Sequence, residues 1–219
     1  MKAFDLSLYL VLDPALCGGP GMVETARRAV AGGATMVQLR DKEADTRRLI
    51  EIGRALKAAL AGTAARLLVN DDAAACAAIG ADGLHIGQGD MAAARARALI
   101  GPGAILGLSV ETPALAAAAN PALVDYVGAG PVFATLTKPG HARPVGLSGL
   151  AAMVAASPVP VVAIGGLDAR HAAGVLGAGV AGMAVVSAIC GQPDPQAAAR
   201  ALAHALAANR AGAATARAS

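Results

Sequence analysis

The sequence predicts a single-domain α/β protein, a (β/α)8 TIM barrel. Three observations carry this. Short β-rich runs alternate strictly with Ala/Leu-rich helical stretches, a pattern that builds a parallel sheet. There are eight such runs, the number that closes a barrel. The runs are nearly continuous in apolar residues, as strands buried on both faces are. An open doubly wound sheet is the alternative, but no GxGxxG opens the first βα turn.

The first strand is LSLYLVL at 6–12, followed by a helix over 22–31 that ends at Gly32-Gly33. TMVQL at 35–39 is the second strand, and Asp45 is placed to cap a helix over 45–60. RLLVN at 66–70 leads into a helix over 71–79, with Asp71 as its cap and Gly80 at its end. GLHI at 83–86 is the fourth strand, with a helix over 90–99 capped by Asp90 and closed by Gly101. AILGLS at 104–109 precedes a helix over 112–119 capped by Thr112. LVDYVGAG at 123–130 opens the longest loop, and Ser148 caps the next helix, over 147–156. PVVAIG at 160–165 is followed by a helix over 168–177, capped by Asp168 and ending at Gly177. GMAVVS at 182–187 is the last strand, with Asp194 opening a helix over 194–208. The barrel domain is therefore expected over 1–208. Residues 209–219 lose periodicity and are expected to be a frayed tail.

Composition narrows the function. The chain is 56% hydrophobic and only 15% charged, which excludes a disordered chain. Aromatic residues make up 2%, namely Phe4, Tyr9, Tyr126 and Phe133, too few for a base-stacking platform. Substrate rings are then expected to be held by aliphatic packing and hydrogen bonds. The formal charge of +3 and pI near 9.0 suggest a nucleic-acid binder only until the charges are located. Arg210 and Arg217 fall in the expected tail, while Arg40, Lys42 and Lys138 fall at strand ends, so no basic face for nucleic acid is predicted. Cys17, Cys76 and Cys190 form no CxxC pair and read as free thiols, small buried hydrophobes in a reducing compartment. The N-terminal apolar run carries Asp5 and Asp13 and reads as a strand, not a leader. No stretch of about 18 apolar residues runs unbroken, so no membrane span is expected. The default is a cytoplasmic enzyme acting on small molecules, and a homo-oligomer is compatible with it.

In such a barrel the chemistry sits where strands end and βα loops begin. After the second strand come Gln38, Leu39, Arg40, Asp41 and Lys42. Alternation sends Gln38 and Arg40 to one side and Leu39 to the other, and the Arg/Lys pair suits a diphosphate. A solvated charged loop is the bland alternative. Asn70-Asp71-Asp72 and the loop reaching Asp90 bring two acids beside these cations. Mg²⁺ commonly takes one or two carboxylates plus substrate phosphates. Helix capping by Asp71 and Asp90 explains the same positions equally well. His85, inside a strand, reads as a packed, hydrogen-bonded residue. Ser109 ends the fifth strand, placed to bond a substrate ring or a phosphate. The loop after the sixth strand carries Thr135, Leu136, Thr137 and Lys138, one of four lysines, and reads as a phosphate-binding lid. Gly166 after the seventh strand and Ser187 after the eighth stand where barrels often hold phosphate on backbone amides. No Ser–His–Asp triad and no Schiff-base lysine is evident, which favours diphosphate departure over acyl or carbonyl chemistry.

With these motifs in place, the sequence resembles the thiamine-phosphate synthase family. The resemblance runs from YLVLD at 9–13 to VVSAI at 185–189, through QLRDK, NDD, DGLHIGQGD, GLS, GPVFATLTK and AIGG in that family's order and spacing. It implies a single TIM barrel that condenses 4-amino-2-methyl-5-diphosphooxymethylpyrimidine with a thiazole phosphate, or its carboxylated tautomer. The products are thiamine phosphate and diphosphate. It further implies that Gln38, Leu39, Arg40, Asp41, Lys42, Asn70, Ser109 and Lys138 bind the pyrimidine diphosphate. Arg40, Lys42, Lys138 and Ser109 would act in catalysis, and Asp71 and Asp90 would hold Mg²⁺. Thr135, Leu136, Thr137, Gly166, Val186 and Ser187 would hold the thiazole phosphate. Leu39 and Asp41 are included as part of a segment, not as individual contacts, and His141 and Arg143 are not carried over. The alternatives are a thiazole tautomerase on the same barrel and a non-catalytic phosphate-binding barrel.

Overall fold

The computed structural model describes residues 4–135, 137 and 143–218. Eight parallel strands close a barrel in sequence order. They are β1 (Leu8–Val11), β2 (Met36–Leu39), β3 (Arg66–Asn70), β4 (Gly83–Ile86), β5 (Ile105–Val110), β6 (Tyr126–Ala129), β7 (Val161–Ala163) and β8 (Gly182–Val185). β1 pairs with both β2 and β8, which closes the ring.

Strand alternation divides the core in two. Leu8, Leu10, Val37, Leu39, Leu67 and Val69 face outward into the layer under the helices. Tyr9, Val11, Met36, Leu68, Ile105, Tyr126, Val162 and Ala184 fill the barrel interior. The inward positions nearest the strand C-termini carry the polar residues Gln38, Asn70, His85 and Ser109, so the hydrophobic plug gives way to a polar floor.

The helices follow the periodicity with shifted starts. The helix predicted over 22–31 is α2 (Gly21–Ala31), preceded by a short turn, α1 (Pro14–Cys17), capped by Asp13 and not foreseen in the sequence. α3 (Thr46–Ala59) is capped by Asp45 and buries Leu49, Ile52, Gly53 and Leu56, one face at helical spacing. α4 (Ala73–Ile79) is capped by Asp72, not Asp71. α5 (Ala93–Ile100) begins at Ala92 with no side-chain cap, so Asp90 does not cap it either. α6 (Pro113–Ala117) has the expected Thr112 cap. α7 (Gly146–Ala156) starts after Val145, and Ser148 lies inside it. The predicted 168–177 helix splits into a 3-10 turn at Ala169–His171, capped by Asp168, and α8 (Ala172–Gly177). α9 (Pro195–Ala218) runs past the expected end at 208. Arg210, assigned from sequence to the tail, instead donates to Ser7 Oγ and the Ala181 carbonyl at the lower rim of the barrel. Among the described residues no helix is long and apolar enough to cross a membrane.

Candidate active site

The strand C-termini open onto one cavity. It is lined by residues from all eight strand ends, from Val11 on β1 round to Ser187 after β8. In its two acidic loops, neither Asp71 nor Asp90 caps a helix. Asp72 takes the cap of α4, its Oδ1 accepting from Ala75 N at 2.8 Å, and its other oxygen accepts from Thr46 Oγ1 at 2.6 Å. That frees Asp71, which sits in the left-handed region at φ 63 and lines the cavity. Among the described residues it is the one non-glycine with positive φ, a conformation that costs a non-glycine side chain energy and collects at functional sites. The backbone is held there by Asp71 N donating to the His85 carbonyl at 2.8 Å.

The Asp71 carboxylate accepts from Asn70 Nδ2 at 2.6 Å and pairs with the Lys42 ammonium. Burial raises its pKa above the ordinary aspartate value, Lys42 opposes that rise, and the neighbouring Asp90 carboxyl adds to it. Asp90 stands on the same wall, with Oδ2 accepting from Gly87 N at 2.8 Å. A half-buried Asp71 carboxyl beside an exposed Asp90 carboxyl, both lining the cavity, suits a hard divalent cation. Among the described residues no three His, Cys, Asp or Glu side chains gather, so a cation here would complete its shell from water and substrate oxygens. Arg40 and Lys42 complete this polar wall.

The opposite wall carries Thr135, Thr137, Gly166, Val186 and Ser187. Thr135 Oγ1 lies 3.1 Å from Thr137 Oγ1 and accepts from Thr137 N at 3.2 Å, which folds the loop back on itself. Gly166 is at φ +64, and a Cβ there would sit 2.4 Å from the Ala134 carbonyl oxygen. The glycine is therefore required by the docking of the β6 loop on the β7 loop, independently of any ligand. Leu136 and Lys138 lie outside the described residues.

Two members of the predicted segment do not face the cavity. Leu39 is fully buried on the outer side of β2, against Gly53 of α3, as strand alternation requires. Asp41 turns its carboxylate to Glu43 N at 3.1 Å and shapes the loop. Neither side chain lines the site.

The sequence also missed what lies beneath. Tyr9 and Tyr126, two of the four aromatic residues, line the cavity floor, so rings are present where aliphatic packing was expected. Gln38 Nε2 donates to Tyr9 OH at 2.7 Å, and the two phenol oxygens are 3.0 Å apart. His85 bonds Tyr126 OH through Nδ1 at 2.8 Å and Ser109 Oγ through Nε2 at 2.9 Å. A Ser–His pair is therefore present, although no triad was evident from sequence. The group on the other ring nitrogen is a phenol, and burial raises its pKa well above the usual tyrosine value. A neutral phenol cannot stabilise an imidazolium as a carboxylate does, so Ser109 is a hydrogen-bonding group here, not an activated nucleophile. The missed signal was inward register: Tyr9 and Tyr126 fall on the same barrel-facing parity as Gln38, expected at the site, and His85, which is packed and hydrogen-bonded as expected. Glu111, just after β5, also lines the cavity and was not foreseen.

Space for this cluster comes from Gly107. A Cβ there would lie 2.2 Å from Tyr126 Cζ and 2.5 Å from His85 Nδ1. Gly107→Ala is therefore expected to displace both rings and to lower stability by about 1–3 kcal/mol through overpacking. Denaturant midpoints would measure it, and an unchanged midpoint would show that the floor can yield.

The chain matches known proteins over most of its length. A family model described as thiamine monophosphate synthase matches residues 8–189. The chain is 50% identical over 201 residues to the thiamine-phosphate synthase of Xanthobacter autotrophicus, covering 92% of this chain and 95% of that one. It is 52% identical over 199 residues to the thiamine-phosphate synthase of Solidesulfovibrio magneticus, covering 91% and 94%. Among solved structures, a thiamine phosphate pyrophosphorylase from Pyrococcus furiosus superposes with a TM-score of 0.84 at 38% identity, over 93% of this chain and 96% of that one. A 3-hexulose-6-phosphate synthase, 19% identical with a TM-score of 0.66, shares the fold alone.

Proposed function

The chain belongs to the thiamine monophosphate synthase family of transferases, and from that premise we propose a detailed course for its reaction. The pyrimidine substrate loses diphosphate as its methylene C–O bond breaks and the bonding pair leaves on the phosphate oxygen. The thiazole nitrogen lone pair then closes the new C–N bond, giving thiamine phosphate. No protein base is required, in keeping with a cavity whose histidine is committed on both ring nitrogens.

The convergence of Arg40, Lys42, Asp71 and Asp90 on one rim carries the assignment. Arg40 and Lys42 grip the departing diphosphate, with Lys138 assigned alongside them from the sequence. Asp71 and Asp90 are the residues that would hold Mg²⁺. When bound, the ion would supply positive charge to the leaving oxygens. Asn70 orients the Asp71 carboxylate. Gln38 and Ser109 hold the pyrimidine ring. Thr135, Thr137, Gly166, Val186 and Ser187 take the thiazole phosphate, with Leu136 assigned to the same loop. Fixing the thiazole nitrogen in line replaces a bimolecular encounter with a local one. Both substrates carry phosphate groups, which fits a cytoplasmic enzyme.

Incubation of the purified protein with both substrates, with and without Mg²⁺, tests the assignment by thiamine phosphate formed. Product that depends on the metal is expected. No product at any metal concentration would overturn it, and turnover of a thiazole tautomer alone would mark an isomerase instead. Arg40→Ala removes charge-assisted hydrogen bonds worth about 1.5–3 kcal/mol, so kcat/KM for the pyrimidine diphosphate should fall about 10- to 100-fold. A change under twofold in steady-state kinetics would remove Arg40 from the diphosphate site.

A further inference from the structure

Five polar side chains of the cavity floor form one continuous row, from Gln38 through Tyr9, Tyr126 and His85 to Ser109. Its proton directions follow from one end. Gln38 Nε2 can only donate, so Tyr9 OH accepts and spends its single proton on Tyr126. Tyr126, having accepted, donates to His85 Nδ1. A neutral imidazole with a bare Nδ1 carries its proton on Nε2, which is therefore given to Ser109 Oγ. Ser109 accepts from the ring and has its own proton left for the cavity. At the other end, the Gln38 carbonyl oxygen is left as an acceptor in a side chain that lines the same cavity. Both phenols are buried, and their pKa values are raised by that burial, so neither phenol ionises.

We propose that Tyr9, Tyr126 and His85 are positioning residues that fix an acceptor at Gln38 and a donor at Ser109, and so select a 4-aminopyrimidine over its 4-oxo counterpart. This rests on the synthase reading for the identity of the ring. An exocyclic amino group meets the Gln38 carbonyl, and a ring-nitrogen lone pair meets the Ser109 hydroxyl. A 4-oxo ring turns an oxygen toward the Gln38 carbonyl. Gln38 alone cannot turn over to greet it, because its amide nitrogen starts the row. Reversing one end reverses every proton in it, including the histidine tautomer. A site built to bond one polar pattern rejects its inverse strongly.

Two measurements test this. Nitrogen-15 spectra of the imidazole in the substrate-free protein should show His85 with its proton on Nε2, and Tyr126→Phe should abolish that preference. Calorimetric affinities for the 4-amino and 4-oxo pyrimidine diphosphates should differ by about 100-fold or more in the wild type. Tyr9→Phe releases Gln38 and should cut that ratio at least tenfold, and Tyr126→Phe should cut it as well. A proton on Nδ1, or an unchanged ratio in both variants, would overturn the proposal. Because the ratio is a binding measurement, a protein that discriminates the two rings yet forms no thiamine phosphate would sink the synthase reading and leave this one standing.

Discussion

Replacing Asp71 with Asn should lower kcat/KM for thiamine phosphate formation by about a thousandfold, the equivalent of ~4 kcal/mol of leaving-group stabilisation. The variant removes one of two carboxylate charges beside Arg40 and Lys42 while keeping a side chain that tolerates the left-handed backbone at φ 63. Its Mg²⁺ requirement should shift to higher concentration, because Asp90 alone would hold the ion. Asp71→Gly sharpens the test. It should be equally inactive yet as stable as the wild type or more so, since glycine relieves the positive-φ cost. Asp72→Ala, one residue away, should do the reverse. It removes the α4 cap and costs about 1 kcal/mol, with turnover near normal. Steady-state kinetics and denaturant midpoints on the three variants separate the two acids. If Asp71→Asn retains a tenth of wild-type activity, the metal assignment is wrong.

The contrast between these neighbours shows what a sequence can and cannot disclose. NDD announces two acids at a strand end, but which one caps the helix depends on where the backbone turns. Here the turn places Asp71 in the left-handed region and moves the helix start to Ala73. A single-residue offset of this kind exchanges a helix cap for a carboxylate that faces the cavity. The same reasoning applies to Asp90, left uncommitted to a cap when α5 begins at Ala93. The eight strands were legible because burial on both faces leaves a plain apolar signal. The floor was legible only at Gln38, His85 and Ser109, since Tyr9 and Tyr126 lie inside those same apolar runs. Only barrel closure brings β1, β4 and β6 face to face, and pairwise spacing along the chain does not encode it. Leu39 and Asp41 illustrate the converse. They are embedded in the most telling motif, yet one packs outward and the other shapes its own loop.

The largest stability effect is expected at Arg97, far from the cavity. From α5 its guanidinium donates to the Leu123 carbonyl at 2.9 and 2.7 Å, to Gly101 O at 2.9 Å, to Ala104 O at 2.6 Å and to Asp125 Oδ2 at 2.6 Å. Asp125 Oδ2 in turn accepts from Leu106 N at 2.8 Å. One planar cation thus ties the end of α5 to the turns that lead into β5 and β6, at the end of the barrel opposite the cavity. The pair is mostly buried, with side-chain exposures of 13% and 20%. Arg97→Ala strips the carbonyls of this donor and removes the guanidinium from the Asp125 carboxylate, a change that costs about 3–5 kcal/mol in buried pairs. Against a total stability of roughly 5–15 kcal/mol for a domain, that loss moves the denaturant midpoint by a large fraction. Arg97→Lys should recover little, because an ammonium has three donors and no fork with which to span four acceptors. Turnover measured well below the unfolding transition should stay near the wild-type value, since the guanidinium does not line the cavity. A loss under about 1 kcal/mol on urea titration would mean that water replaces these hydrogen bonds at little cost. The lower rim around β5 and β6 would then owe its order to apolar packing and solvent, not to this guanidinium.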